Sequence, residues 1–289
     1  MDTKRLEAVP SHLSDTFPPH RRATRMGIRT FRIILGNEVA KGVIDLWRGK
    51  VALVLEMISF GLFFLVITFA QGKGSFQHVA VAPLLLGFVG YMFFHMQTNR
   101  LFWGLLGEIQ SGTLEQMYLS PLPSWVLLLG LAVASIVEAL ITAVLMYLLI
   151  RLVVPVTIPL RLSALLPLIL LVVGSVGYSL MVGGLTLRFK RLEILKELLQ
   201  GLVFLFGGVF VPLDHMPHWM AIMARFLPIT SGIAGLQQAL LAESSLGALA
   251  SDGTIFWLIG NALAYLGLGI IVFRWCEHMA KRLGTLGQY

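Results

Sequence analysis

The stretch "GEIQSGTLEQMYLSPLPSWVLLLG", residues 107–130, decides how this chain folds. A polar, capped and proline-terminated segment stands there between two apolar runs, 79–98 and 125–150. Each run is long enough to cross a bilayer as a helix, which takes about 20 residues. Thr113 and Gln116 make a T-x-x-Q capping pattern, so a short helix can begin at "TLEQMYL". Pro121 and Pro123 keep it from merging with the next span, and Ser124 can cap a fresh helix beginning at Trp125. The pattern predicts a separately bounded helix over 113–119 at the membrane surface. Leu114, Met117 and Tyr118 give it an apolar side, and Glu115 gives it a charge. Such a knob suits docking of a soluble partner.

Composition sets the class. Hydrophobic residues form 57% of the 289 residues, charged residues 13%, and mean hydropathy is +0.82. A soluble domain carries about 25% charged residues, so the reading is an all-α integral membrane protein. The net charge of +7 sits in flanks and loops, which points to orientation in a bilayer and not to nucleic acid. Cys276 is the only cysteine, which excludes an intrachain disulfide and a cysteine metal cluster. The first 27 residues are polar and charged, without the apolar core of a cleaved signal peptide.

Six crossings are expected, at 51–70, 79–98, 125–150, 163–187, 199–213 and 254–273. With both termini cytoplasmic, 18 of the 22 lysines and arginines fall on the inner side, as the positive-inside rule requires. Trp125 and Trp275 then lie at inner ends, and Trp257 near an outer end. Residues 1–37 read as a polar basic cytoplasmic segment and 38–289 as one transmembrane domain. Ahead of the first span, Glu38, Lys41, Asp45 and Arg48 share one helical face, opposite Val39, Val43, Leu46 and Trp47. That predicts an amphipathic helix in the cytoplasmic interface. An earlier stripe of Arg25, Arg29 and Arg32 is half a turn out of phase, so a break is expected near Gly36-Asn37.

The fifth span is short, and Gly207-Gly208 and Pro212 make its outer end easy to break. "HWMAIMARFL" and "SGIAGLQQALL" follow, each too short to span. They read as re-entrant or interfacial helices that cap the outer side. Irregular backbone at that depth is tolerated where it lines a cavity or is buried in protein, which makes Phe210 and Pro212 candidates for the exit of a substrate path.

"SGTLEQMYLSPLPSWVLLLG" resembles the segment after the second span in permeases of type-2 ATP-binding-cassette exporters: Gly-Thr-Leu-Glu, a few apolar residues, Ser-Pro, then a new span. "GGVFVPLDHMPHWMAIMARFLPITSGIAGLQQALL", 207–241, resembles the same family near its fifth span. One departure is Ile229-Thr230-Ser231-Gly232, where many members carry an aromatic after Leu-Pro-x-Thr. The resemblance implies the membrane half of an exporter, drug-export-like in its branch, paired with a separate ATPase and a second permease. It implies that Thr113, Leu114, Glu115, Gln116, Met117, Tyr118 and Leu119 receive the ATPase's motion, and that ATP and magnesium bind on the partner. This chain itself carries no G-x-x-x-x-G-K-[ST] loop, so no cofactor is expected on it.

Glu138, mid-way along 125–150, is the most informative charge, because a carboxylate in a span costs a few kcal/mol. Two readings stand: with Thr142 one turn away it contacts substrate in a cavity, or it locks helix packing. Glu56 near the start of the first span, Asn261 in the last, and Ser175, Ser179 and Gly183 in the fourth read as structural. Asp214, His215 and His218 give too few ligands on a proline-broken loop to argue for metal. No catalytic cluster emerges. A gradient-driven carrier or channel is the alternative from another class, and a polysaccharide-export permease the alternative within it.

The topology is testable by thiol labelling in intact cells in a Cys276→Ser background. Gly72→Cys and Ser245→Cys should react with an impermeant reagent, while Ser120→Cys should not. The reverse pattern would overturn the assignment.

Overall fold

The structure is a computed structural model. It describes the chain outside residues 1–27, 75–80, 113–123, 155, 157, 160, 190–191, 212, 214–215, 242–246, 248–250, 252 and 284–289. The described elements are helices: α1 Ile28–Arg48, α2 Lys50–Gln71, α3 Val81–Gln110, α4 Ser124–Val153, α5 Leu165–Arg188, α6 Glu193–Phe206, α7 His218–Phe226, α8 Thr230–Leu240 and α9 Thr254–Leu283. A 3₁₀ turn over Leu162–Ala164 leads into α5. The all-α membrane fold expected from composition is what forms.

Among the described residues, five stretches are long and apolar enough to cross a membrane: α2, α3, Leu128–Val153, Leu162–Arg188 and Thr254–Arg282. The crossing expected at 199–213 differs. Its helix, α6, runs over 193–206 and has 14 residues, about 21 Å at the α-helical rise against a core of about 30 Å. It gains two turns at its start because "EILKELLQ" joins the helix. It stops early because Gly208 takes a φ of +74°, a left-handed conformation that suits glycine. The bent pair α7 and α8, at 96°, stands where two short helices were expected, and taken as one broken span it makes a sixth crossing.

Two further differences have plain causes. α3 and α4 are 30 residues each, so α3 continues through residues 99–110, expected to be cytoplasmic. α1 is continuous, with no break at Gly36-Asn37. Around Gly36 the helix touches nothing within 4 Å of where a side chain would start. The shifted arginine stripe therefore only records that the first turns face solvent, as exposed Arg29 and Arg32 do.

α5 is the keystone of packing, and it works through two stripes of small residues. Gly174, Gly177 and Gly184 meet the backbone of α9 at Ala262, Tyr265–Leu266 and Phe273, the most extensive helix contact in the molecule. Ser175, Ser179 and Gly183 turn to α3 instead: Ser179 Oγ lies 3.1 Å from Thr98 Oγ1, and Gly183 faces Leu101. Small residues let backbones approach where no hydrophobic effect drives association in lipid. α3, buried along most of its length, also packs under the break after α6, with Gly87 beneath Val209, and under α8, with Gly90 beneath Ile233.

Gly177→Val should overlap the α9 backbone and cost on the order of 3 kcal/mol, read as a lower melting temperature in detergent. Gly260→Ala, on an open face of α9, should be neutral or slightly stabilising. Equal behaviour of the two variants would refute the seam.

Candidate functional site

The segment 113–119 and Pro212 lie outside the described residues, so the site is built from what brackets them. α3 ends at Gln110, with Ser111 N–H returning to Gly107 O at 2.9 Å and Gly112 just beyond at a φ of +71°. α4 begins at Ser124. The expected docking segment thus hangs between the ends of two long helices, and those helices are tied to each other and to α1 by charge.

Glu138 is the centre of that junction. It is 5% exposed, half-way along α4, and its Oε2 lies 2.6 Å from Arg100 Nε on α3. The approach is short but off the line of the N–H, so the contact is an ion pair and not an aligned hydrogen bond. Its other oxygen sits against Gly42 of α1, where any side chain would overlap the carboxylate. Nearby, Glu38 of α1 covers Gly130 of α4. Thr142, fully buried, donates its hydroxyl to the Glu138 carbonyl at 3.0 Å, so that hydroxyl is satisfied within its own helix.

A second pair completes the tie. Lys41 Nζ of α1 donates to Glu108 Oε1 of α3 at 3.1 Å. The hydrogen bond to Glu108 raises the Lys41 pKa above 10.5, against the opposing effect of partial burial and with help from the charges of Glu108, Glu38 and Asp45. A raised lysine pKa contributes stability that is complete below the unfolded-state value and is lost only as pH climbs through the folded one, so this pair persists through neutral pH. The α1 face turned outward carries Val43, Ile44 and Trp47, all exposed. The expected faces are only partly kept: among the described residues of α1, Gly42 and Leu46 are the buried positions, Glu38 is half-buried, and Lys41, Asp45 and Arg48 are exposed.

On the other side of α3 lies a polar network that the sequence reading did not assemble. Lys196 of α6 is 2% exposed. Its ammonium donates to Asn99 Oδ1 at 2.5 Å, pairs with Glu197 at 2.7 Å, and lies 4.9 and 5.4 Å from the Phe102 and Trp103 rings. His95 Nε2 is 3.0 Å from Asn99 Nδ2 and 3.9 Å from Glu56 Oε1 of α2. Tyr91 Oη is 3.4 Å from His95 Nδ1, and Gln200 donates to the His95 carbonyl at 3.5 Å. The signal was present: Tyr91, His95 and Asn99 recur every fourth residue, one helical face. In the sequence Lys196 is only one of the basic residues expected on the inner side.

Next to this network is an aromatic cluster. Phe210 packs its ring 5.1 Å from Phe204, 6.0 Å from Phe88 and 6.2 Å from Phe63. Its carbonyl accepts from Gln71 at 3.4 Å. It therefore joins α2, α3 and α6 just past the break in α6. Asn261 makes the interhelical bonds expected of it, donating to the Arg225 and Leu227 carbonyls at 3.1 and 3.5 Å.

A family model described as ABC-2 type transporter matches residues 38–241. The chain belongs to that family and is a permease component, of the kind that works with a separate ABC ATPase. Comparison with curated proteins found no match.

The junction makes a direct prediction. Arg100→Met leaves a buried carboxylate without its cation and should cost about 2 kcal/mol, read by unfolding in detergent. Arg100→Met with Glu138→Leu should recover most of that loss. A double variant as unstable as the sum of the singles would show that the two residues do not interact.

Proposed function

We propose that the chain is the membrane-spanning subunit of an ATP-driven exporter, with both termini cytoplasmic, that moves an amphipathic drug, lipid or lipid-linked molecule outward across the cell membrane. A separate ATPase, holding ATP and magnesium, docks on residues 113–119. The observation that carries this reading is the tie between the helices flanking that segment. A push on the segment meets α3 and α4, which Arg100–Glu138 joins, and α1, which Lys41–Glu108 and Gly42 join to both. Three helices then move as one body, as transmission of a mechanical stroke requires. On this reading Glu138 acts chiefly as a lock in the transmission.

A second permease completes the working unit. α2 and α6 leave long apolar faces outward, including Val51, Leu55, Leu62 and Val66 on one and Ile194, Leu198 and Leu205 on the other. Lipid or a second permease covers such faces in a membrane. The aromatic-rich wall around Phe210 favours an apolar substrate body. The predominance of basic residues on the terminal side of the spans supports the orientation.

Leu114→Asp together with Met117→Asp should abolish co-purification of the ATPase subunit and ATP-coupled transport while leaving the permease folded. Undiminished association and transport in that double variant would reject the docking role.

A further inference from the structure

We propose that a cavity between α7, α8 and α9, at the end of the bundle where α9 begins, binds the phosphate group of a membrane lipid. The inference rests on the membrane fold and not on the direction of transport. The cavity has a volume of ≈ 400 Å³ and is lined by Arg225, Thr230, Ser231, Gln238, Trp257 and Leu213, among others. That volume suits a headgroup.

Three features converge on an anion, and a fourth names its source. First, α8 opens into the cavity with its N-terminus, and its N-cap, Ile229, supplies no side-chain cap. The first intrahelical bond is given by Ile233 to Ile229, so the amides of Thr230, Ser231 and Gly232 have no acceptor within the helix. They present the positive end of the helix dipole. Second, the Thr230 and Ser231 hydroxyls are buried, at 1% and 6% residue exposure, and have no hydrogen-bond partner. Buried hydroxyls are normally satisfied, so this pair points to an absent ligand.

Third, Arg225 lies in the wall, exposed, with no acidic partner among the described residues. Its backbone is fixed, because its carbonyl accepts from Trp257 Nε1 at 3.3 Å and Asn261 at 3.1 Å. A guanidinium can bind a phosphate through two parallel hydrogen bonds. The donors available, a guanidinium fork, two hydroxyls and the first-turn amides, outnumber what the two oxygens of a carboxylate use and suit the oxygens of a phosphate. One full positive charge and a helix end balance the single charge of a phosphodiester.

Fourth, the source is a lipid because of α7. Trp219, Ile222, Met223 and Phe226 recur at three- and four-residue spacing and are all exposed, at 60%, 45%, 57% and 60%. This apolar stripe borders Arg225 on the same helix, where an acyl chain attached to the bound phosphate can lie against it.

The test uses the full chain, purified in detergent and stripped of lipid, with three probes: dioleoyl phosphatidylglycerol, dioleoylglycerol and inorganic phosphate. The phosphatidylglycerol should bind and raise the melting temperature, with the other two at least about tenfold weaker. Arg225→Gln should weaken it about tenfold, the scale of one charge-assisted contact. Thr230→Val with Ser231→Ala should weaken it by a similar factor while lipid-free stability stays equal or rises, since the hydroxyls lost had no partner. Equal binding of dioleoylglycerol would overturn the phosphate assignment, and inorganic phosphate as tight as the lipid would overturn the lipid assignment. Wild-type affinity in both variants, or a lower lipid-free stability in the hydroxyl variant, would overturn the site.

Discussion

A carboxylate placed in an apolar helix must find a cation, a proton or water, and Glu138 finds Arg100. Much of the architecture follows from that requirement. Arg100 must itself stay within reach, so α3 continues as a helix past the apolar run and holds the guanidinium beside α4. α1 must come close without intruding on the carboxylate, and it does so at Gly42. Once these three helices share one ion pair, the polar segment between α3 and α4 has a rigid mount. On the proposed function, a load applied between α3 and α4 reaches both helices together.

The same logic explains why α3 is the most buried of the long helices. It carries charge on two sides: Arg100 toward Glu138, and Asn99 with His95 toward Lys196 and Glu56. Each of these polar groups would be costly facing lipid, so neighbours surround α3. α5 closes one flank through Ser175, Ser179 and Gly183, and then uses its other small-residue stripe to seat α9. Lys196 closes another, spending its ammonium on Asn99, Glu197 and two aromatic rings. Packing in this molecule is organised around polar groups that need partners as well as around fat side chains that need contact.

How far the sequence could be read follows from which signals are local. Long apolar runs are local, so α2, α4, α5 and α9 fall where expected, and the glycine-proline break after α6 was visible as residues that cannot continue a helix. The true length of α3 was not. His95, Gln97, Asn99, Arg100 and Glu108 lower its hydropathy, and an average over such residues ends the span at 98 although the backbone has no reason to stop there. Placing Arg100 in a loop hid the partner of Glu138, which is why that residue read equally as a substrate contact and as a lock. The burial of Lys196 was hidden for the opposite reason: a lysine among glutamates looks solvated until the helix that covers it is placed. Asn261 was legible because a lone amide among apolar residues in a span has few alternatives to an interhelical bond.

The corner between α7 and α8 shows how backbone polarity, and not only side-chain charge, can shape function in an apolar setting. α7 ends and α8 begins within a few residues at 96°, so the carbonyl end of one helix and the amide end of the next meet at one place. The carbonyl end is saturated: Trp257, Asn261 and Tyr265, at successive turns of α9, donate to Arg225, Arg225 with Leu227, and Phe226 respectively. The amide end receives no side-chain cap, and its two hydroxyls have no partners. Neutral donors quench the negative pole without adding positive charge, while the positive pole and Arg225 are left to act together. A bent helix pair in a membrane must satisfy both poles; meeting one from within the chain and leaving the other open makes the corner selective for an anion.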